Sequence, residues 1–231
     1  MAHRPADVDL PLPSGPRAVL AGLLGAVLLS GAAGCNIIGP AAYFAMGPEK
    51  VPAQYQLDEH KPVVVFVDDR ASRVPDRVVR RRIGQAADEH LVARKLAKDV
   101  IAADSVAAVV AREKFGRPMG IADVGRAVSA GQVVYVRIEE FTLSADGTAF
   151  APRAVADVKV VDVETGTRLW PDGDPGYHQL VVELPPRQGT APRTTAELIE
   201  AQRVLAQRLG TAIGQLFYEH EQRPTKDRLS D

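Results

Sequence analysis

The stretch QVVYVRIEEFTLSADGTAFAPRAVADVKVVDV, residues 132–163, decides the fold. From Gln132 to Leu143, Val134, Val136 and Ile138 alternate with Tyr135 and Arg137. A period of two in β-branched and aromatic residues is that of a strand. SADG at 144–147 is turn chemistry, and Phe150 to Val163 reads as the returning strand. Beyond it, ETG at 164–166 turns the chain into Arg168-Leu169-Trp170. PDGDPG at 171–176 precedes a further strand, predicted from Tyr177 to Leu184. Long antiparallel strands joined this way form a meander.

Working outward, PVVVFVDD holds the apolar run Val63 to Val67, most simply a buried and central strand. From Asp76 to about Lys98, Val79, Ile83, Ala87 and Leu91 recur at intervals of four, which predicts a helix. KDVIAADS at 98–105 holds a short element ending at Asp104 or Ser105 as a cap. Helices are predicted from Val106 to Phe115 and from Ile121 to Ala130. After the loop LPPRQGTAPR at 184–193, Thr194 and Glu197 match a capping box. It opens a helix to about Tyr218, with Leu198, Ala201, Leu205, Leu209, Ala212, Ile213 and Leu216 on one stripe. The expected fold is α/β: a mixed sheet with a long antiparallel meander packed against helices. Residues 61–219 form one domain, preceded by an extended linker at 51–62 and followed by a polar tail at 220–231.

The 231 residues carry 28 Lys and Arg against 29 Asp and Glu, a net charge of −1 that disfavours a nucleic-acid binder. A single cysteine excludes an intrachain disulfide framework and a zinc site built on several thiolates. That cysteine follows the apolar run Ala18 to Leu29, whose 12 residues are short for a bilayer span and suited to the core of a secretory signal. Ala32-Ala33-Gly34 then leads directly into Cys35. This arrangement resembles a bacterial lipoprotein signal. The resemblance implies removal of residues 1–34, thioether acylation of Cys35 and acylation of its new amino group. Several acyl chains, at about 0.8 kcal/mol per buried CH₂, make a durable anchor. Asn36 at the next position permits passage to an outer membrane under the sorting rule of such lipoproteins. Residues 37–48, IIGPAAYFAMGP, are apolar enough either to pack on the domain or to lie among lipid headgroups.

Three further segments carry a second resemblance: DVIAADSVAAVVAREK (99–114), ADVGRAVSAGQVVYVRIEEF (122–141) and VADVKVVDVETGTRLW (155–170). Residues 60–218 resemble the periplasmic domain of curli-secretion-channel-like lipoproteins, the TolB N-terminal domain and lipoprotein activators of penicillin-binding proteins. The resemblance implies a lipid-anchored α/β sandwich that acts through protein contacts. The 197 residues left after residues 1–34 offer little room for extra membrane-spanning hairpins, so a pore is not expected.

The sequence offers no catalytic, cofactor-binding or metal-ligating candidate. Asp68 and Asp69 end the first strand, where open α/β sheets place functional groups, but neighbours on a strand point to opposite faces. A turn or capping role is therefore expected for them. His3, His60, His90, His178 and His220 show no ligand spacing, and H-E-x-x-H, G-x-S-x-G, Walker and G-x-G-x-x-G patterns are absent. One charge cluster stands out: Arg70, Arg73, Arg77, Arg80, Arg81 and Arg82. It is read as a solvated face, or, through Arg73, Arg77, Arg80 and Arg81, as a contact for anionic headgroups or an acidic partner.

The expectation is an exported, periplasm-facing lipoprotein, on an outer rather than an inner membrane. It is non-enzymatic and scaffolds or regulates an envelope machine, with an envelope protein or a second copy as partner. The alternative is a binding module for a small lipid or glycan. It predicts an apolar pocket between the 76–98 and 194–218 helices and the sheet. An enzyme would need Asp68 or Asp69 joined to His90 or His178.

Overall fold

A computed structural model describes residues 50–113, 117–144, 150–185 and 192–221. The signal segment, Cys35, residues 37–48, the turn at 145–147 and the tail beyond Glu221 lie outside the described residues. From Lys50 onward the described chain belongs to one compact unit. Its elements are β1 (Lys50–Val51), β2 (Val63–Asp68), α1 (Arg77–Ala93), β3 (Val100–Ile101), α2 (Ala103–Val110), α3 (Ile121–Ala127), β4 (Gln132–Thr142), β5 (Arg153–Asp162), β6 (Arg168–Trp170), β7 (His178–Glu183), α4 (Thr195–Gln215) and β8 (His220–Glu221).

The main sheet runs β3-β2-β4-β5-β6, and β7 pairs with β5 beside β6. β2 is parallel to both β3 and β4, while β5 is antiparallel to β4, β6 and β7. The sheet is thus mixed and open, as the sequence predicts. β2 is central because its run of valines must be covered on both sides. Val63 and Val65 join Val134, Val136, Ile138, Ala156 and Val158 under α1 and α4. Val64 and Phe66 join Val133 and Val163 under Val106 of α2 and Val124 of α3.

The α1–α4 side is filled. Ile83, Leu91, Leu205, Leu209 and Ile213 are each 0% exposed, and burying a side chain of this size stabilises by about 1.5–3 kcal/mol. The two helices meet closely at Gly210, where a Cβ would stand 2.3 Å from the Ile83 carbonyl oxygen and 2.6 Å from Ala86 Cβ.

Several boundaries differ from the sequence reading. α1 stops at Ala93, not near Lys98: Lys95 takes a left-handed φ of 53°, and the Leu96 N–H returns to the Leu91 carbonyl. α2 begins at Ala103, ahead of the predicted Val106. Its cap is neither Asp104 nor Ser105 but Asp88 of α1, whose Oδ2 accepts the Ala103 N–H at 2.8 Å. Residues 51–62, expected as an extended linker, are docked on the domain and turn at Glu59–His60, where the Lys61 N–H returns to the Asp58 carbonyl. Leu57 is buried, and the Gln54 and Tyr55 N–H groups both donate to the Leu216 carbonyl. β1 pairs with β8, so His220 and Glu221 belong to a two-stranded ribbon. The capping box of α4 is formed as read, Glu197 N–H donating to Thr194 Oγ1 at 3.2 Å and Thr194 N–H to Glu197. The stripe that follows is buried only from Leu205 onward, whereas Leu198 and Ile199 are exposed.

Candidate functional site

β2 hands the chain to α1 on one face of the sheet, and its neighbour β3 hands it to α2 on the other. Parallel strands whose chains leave toward opposite faces open a crevice at their carboxyl ends. Here it measures about 410 Å³ and lies between α1 and α2, backed by residues 66–70 at the end of β2. Its base is closed by the buried Phe66 and Val106, its α2 side presents Ala107, Ala108, Val110 and Ala111, and its lining also carries Arg70, Arg77, Arg80 and Arg81. Gly84 sets the closeness of the two helices, since a Cβ there would stand 2.6 Å from Ala103 Cβ.

The carboxylates at this edge are all engaged. Asp68 Oδ2 accepts the Tyr135 hydroxyl at 2.8 Å and Arg70 Nη1 at 2.6 Å. Arg70 reaches on to Glu113 at 2.6 Å and lies over the Phe66 ring. Burial, then the Asp68 carboxylate, push the Tyr135 phenol well above its ordinary range, so it stays a donor. Asp69 serves the turn, accepting the Arg73 N–H at 2.6 Å and the Val74 N–H at 3.2 Å. The two neighbouring aspartates therefore have separate partners, and Asp69 has the capping role read from sequence. Asp76 caps α1 through the Val78 and Val79 N–H groups. Asp104 binds Arg81 Nε at 3.0 Å.

The arginines are less evenly matched. Among the described residues, the side chains of Arg73, Arg77 and Arg80 have no hydrogen-bonding or ionic partner. The first turn of α1 contains no acidic residue. A helix start favours anions by about 0.3–1 kcal/mol per charge, so cations there run against the local preference. Of the four arginines singled out by sequence, Arg77, Arg80 and Arg81 meet at the crevice, and Arg73 sits on the turn beside it. Cys35 lies outside the described residues. The crevice floor escaped the sequence reading, because α2's apolar residues read equally as core.

His90 Nδ1 is 2.9 Å from the Tyr218 hydroxyl, and His178 packs on Trp170 at 5.1 Å. Burial lowers the pKa of both histidines. Neither joins Asp68 or Asp69, whose partners are those above. Trp170 packs against Tyr55 and Phe217 at the edge of the main core, as a strand-end core residue. Among the described residues, no group of three or more His, Cys, Asp or Glu side chains is placed to hold a metal ion, and no helix is long and apolar enough to cross a membrane.

No family model matches this chain, and no curated protein matches it. Among solved structures, the PelC dodecamer from Paraburkholderia phytofirmans is 13% identical with a TM-score of 0.42, covering 74% of this chain and 97% of that one. Lipoprotein GNA1162 from Neisseria meningitidis is 14% identical with a TM-score of 0.38, covering 61% and 92%. The hypothetical protein CT253 from Chlamydia trachomatis is 15% identical with a TM-score of 0.33, covering 54% and 72%. These likenesses assign neither a family nor a function, and the similarity of residues 60–218 to the three lipoprotein and TolB groups stays a resemblance.

Proposed function

We propose that this chain is a lipid-anchored envelope protein that works by contact, as a scaffold or accessory subunit of an envelope machine. Its tether is Cys35, acylated after removal of residues 1–34, and its domain faces the periplasm from an outer membrane. The observation that supports a contact role best is the charge state of the carboxyl edge. Its carboxylates are spent on turns, caps and Arg70 or Arg81, while the guanidinium groups of Arg73, Arg77 and Arg80 have no partner among the described residues. Such a surface recognises anionic headgroups or an acidic partner, with a strength that falls as salt rises. The alternative binding module called for a pocket between α1, α4 and the sheet, and side chains fill that space.

The reading is tested by crosslinking in cells, followed by affinity purification from solubilised membranes. Reproducible capture of one envelope assembly, lost in Arg77→Glu/Arg80→Glu, is expected. Recovery of this chain alone, with and without charge reversal, would overturn the accessory-subunit reading.

A further inference from the structure

We infer that the crevice between α1 and α2 binds an anionic amphiphile of the phospholipid type, its phosphate held by Arg77 and Arg80 and the start of its acyl chain lying along Ala107, Ala108, Val110 and Ala111. The inference rests on the reading that the arginine face meets an anion, and it does not need Cys35 to be acylated.

Three independent features meet at this place. The first is the volume, about 410 Å³, within the roughly 300–1,000 Å³ usual for small-ligand sites. The second is the division of its lining into an apolar floor and a cationic rim. Phe66 and Val106, 1% and 2% exposed, close its base, and Ala107, Ala108, Val110 and Ala111 of the α2 side keep apolar surface open to a ligand. The third is a pair of guanidinium groups without a partner. Asp68, Asp69 and Asp104 also line the crevice, but each is already held, by Arg70 and Tyr135, by the Arg73 and Val74 amides, and by Arg81 respectively. Arg77 and Arg80 are the lining arginines left without a partner among the described residues.

Arg77 opens α1 and Arg80 follows three residues on, behind an Asp76 cap whose carboxylate is taken up by the Val78 and Val79 N–H groups. A phosphate between these guanidinium groups would pair with both through charge-assisted, bidentate hydrogen bonds. A free inorganic anion would leave the apolar floor unused, and a neutral lipid would leave the arginines unused. An anion with an apolar chain satisfies both.

The test uses the full chain in nanodiscs of zwitterionic phosphatidylcholine, with its Val and Ala methyl signals followed by NMR. Short-chain phosphatidylglycerol is titrated against glycerol phosphate and against phosphatidylcholine of the same chain length. The Val106, Ala107 and Val110 methyls are expected to shift with phosphatidylglycerol. The apparent affinity should fall about tenfold or more in Arg77→Ala/Arg80→Ala, as loss of charge-assisted bonds implies. Ala107→Trp, at an exposed position on the crevice wall, should block the site while leaving the α1–α4 core methyls in place.

Equal response to glycerol phosphate would overturn the amphiphile in favour of a bare anion site. Equal response to phosphatidylcholine would overturn the role of the arginines. If the arginine variant loses anionic lipid but the crevice methyls stay silent and Ala107→Trp has no effect, the contact surface survives and the crevice proposal fails. If an acidic peptide, and not phosphatidylglycerol, engages Arg77 and Arg80, the partner is a protein and the lipid proposal fails. If removing the arginines changes nothing, both readings fall together.

Discussion

Asp88 sits where α1 meets the start of α2, and its carboxylate works under strain. Oδ2 accepts the Ala103 N–H, while Oδ1 is buried with no hydrogen-bond partner among the described residues. Burial pushes its pKa from 3.8 up to about 6, helped by Asp104 and Glu89 and opposed by the Ala103 amide. The folded state therefore holds a proton that the unfolded state has released, and stability falls as pH rises from about 4 to about 6. Asp88→Asn keeps an acceptor for Ala103 and removes the charge. After discount for partial exposure, it should raise stability at neutral pH by about 1–2 kcal/mol and flatten the pH dependence. Urea midpoints across that range check this, and an unchanged slope would refute it. Asp162 behaves oppositely. Lys61 Nζ at 2.5 Å, followed by the Thr165 N–H, holds its carboxyl down to about 2. That stabilisation is present above the ordinary 3.8 and is lost as pH falls through about 2. In Lys61→Met, a carboxyl NMR titration should show the Asp162 pKa rising toward its ordinary value. No rise would mean the Thr165 bonds alone hold it.

Among the elements, the contact of α1 with α4 decides stability. Gly210→Ala drives a methyl against the Ile83 carbonyl and Ala86, and overpacking of this kind costs about 1–3 kcal/mol despite alanine's better helix propensity. A lower urea midpoint with an unchanged slope is the expected result. Much of this architecture was legible in sequence. The alternation of Val134, Val136 and Ile138 and the Thr194–Glu197 capping box are local signals, and both elements form as read. The start of α2 was not legible, because its cap comes from Asp88, on a different helix. The exposed first turns of α4 were hidden for a similar reason. The stripe from Leu198 to Ile213 is continuous in sequence, and only tertiary packing decides that burial begins at Leu205. The candidate site was half visible: its arginines cluster along the chain, whereas its floor forms only when α2 folds against β2.

The whole molecule, in the function we propose, joins a tether to a contact surface. Its domain has mixed sheet order, a filled core on the α1–α4 side and a cationic crevice on the edge between α1 and α2. We propose that this domain is held at a membrane by lipid on Cys35, and the N-terminus of the protein extracted from cell membranes tests it most directly. Intact-mass and N-terminal peptide spectrometry should find a chain beginning at Cys35 with acyl groups on its sulfur and amino group. Cys35→Ser should abolish that species and leave the protein unprocessed. A chain that retains residues 1–34, or that begins elsewhere with Cys35 unmodified, would contradict the account.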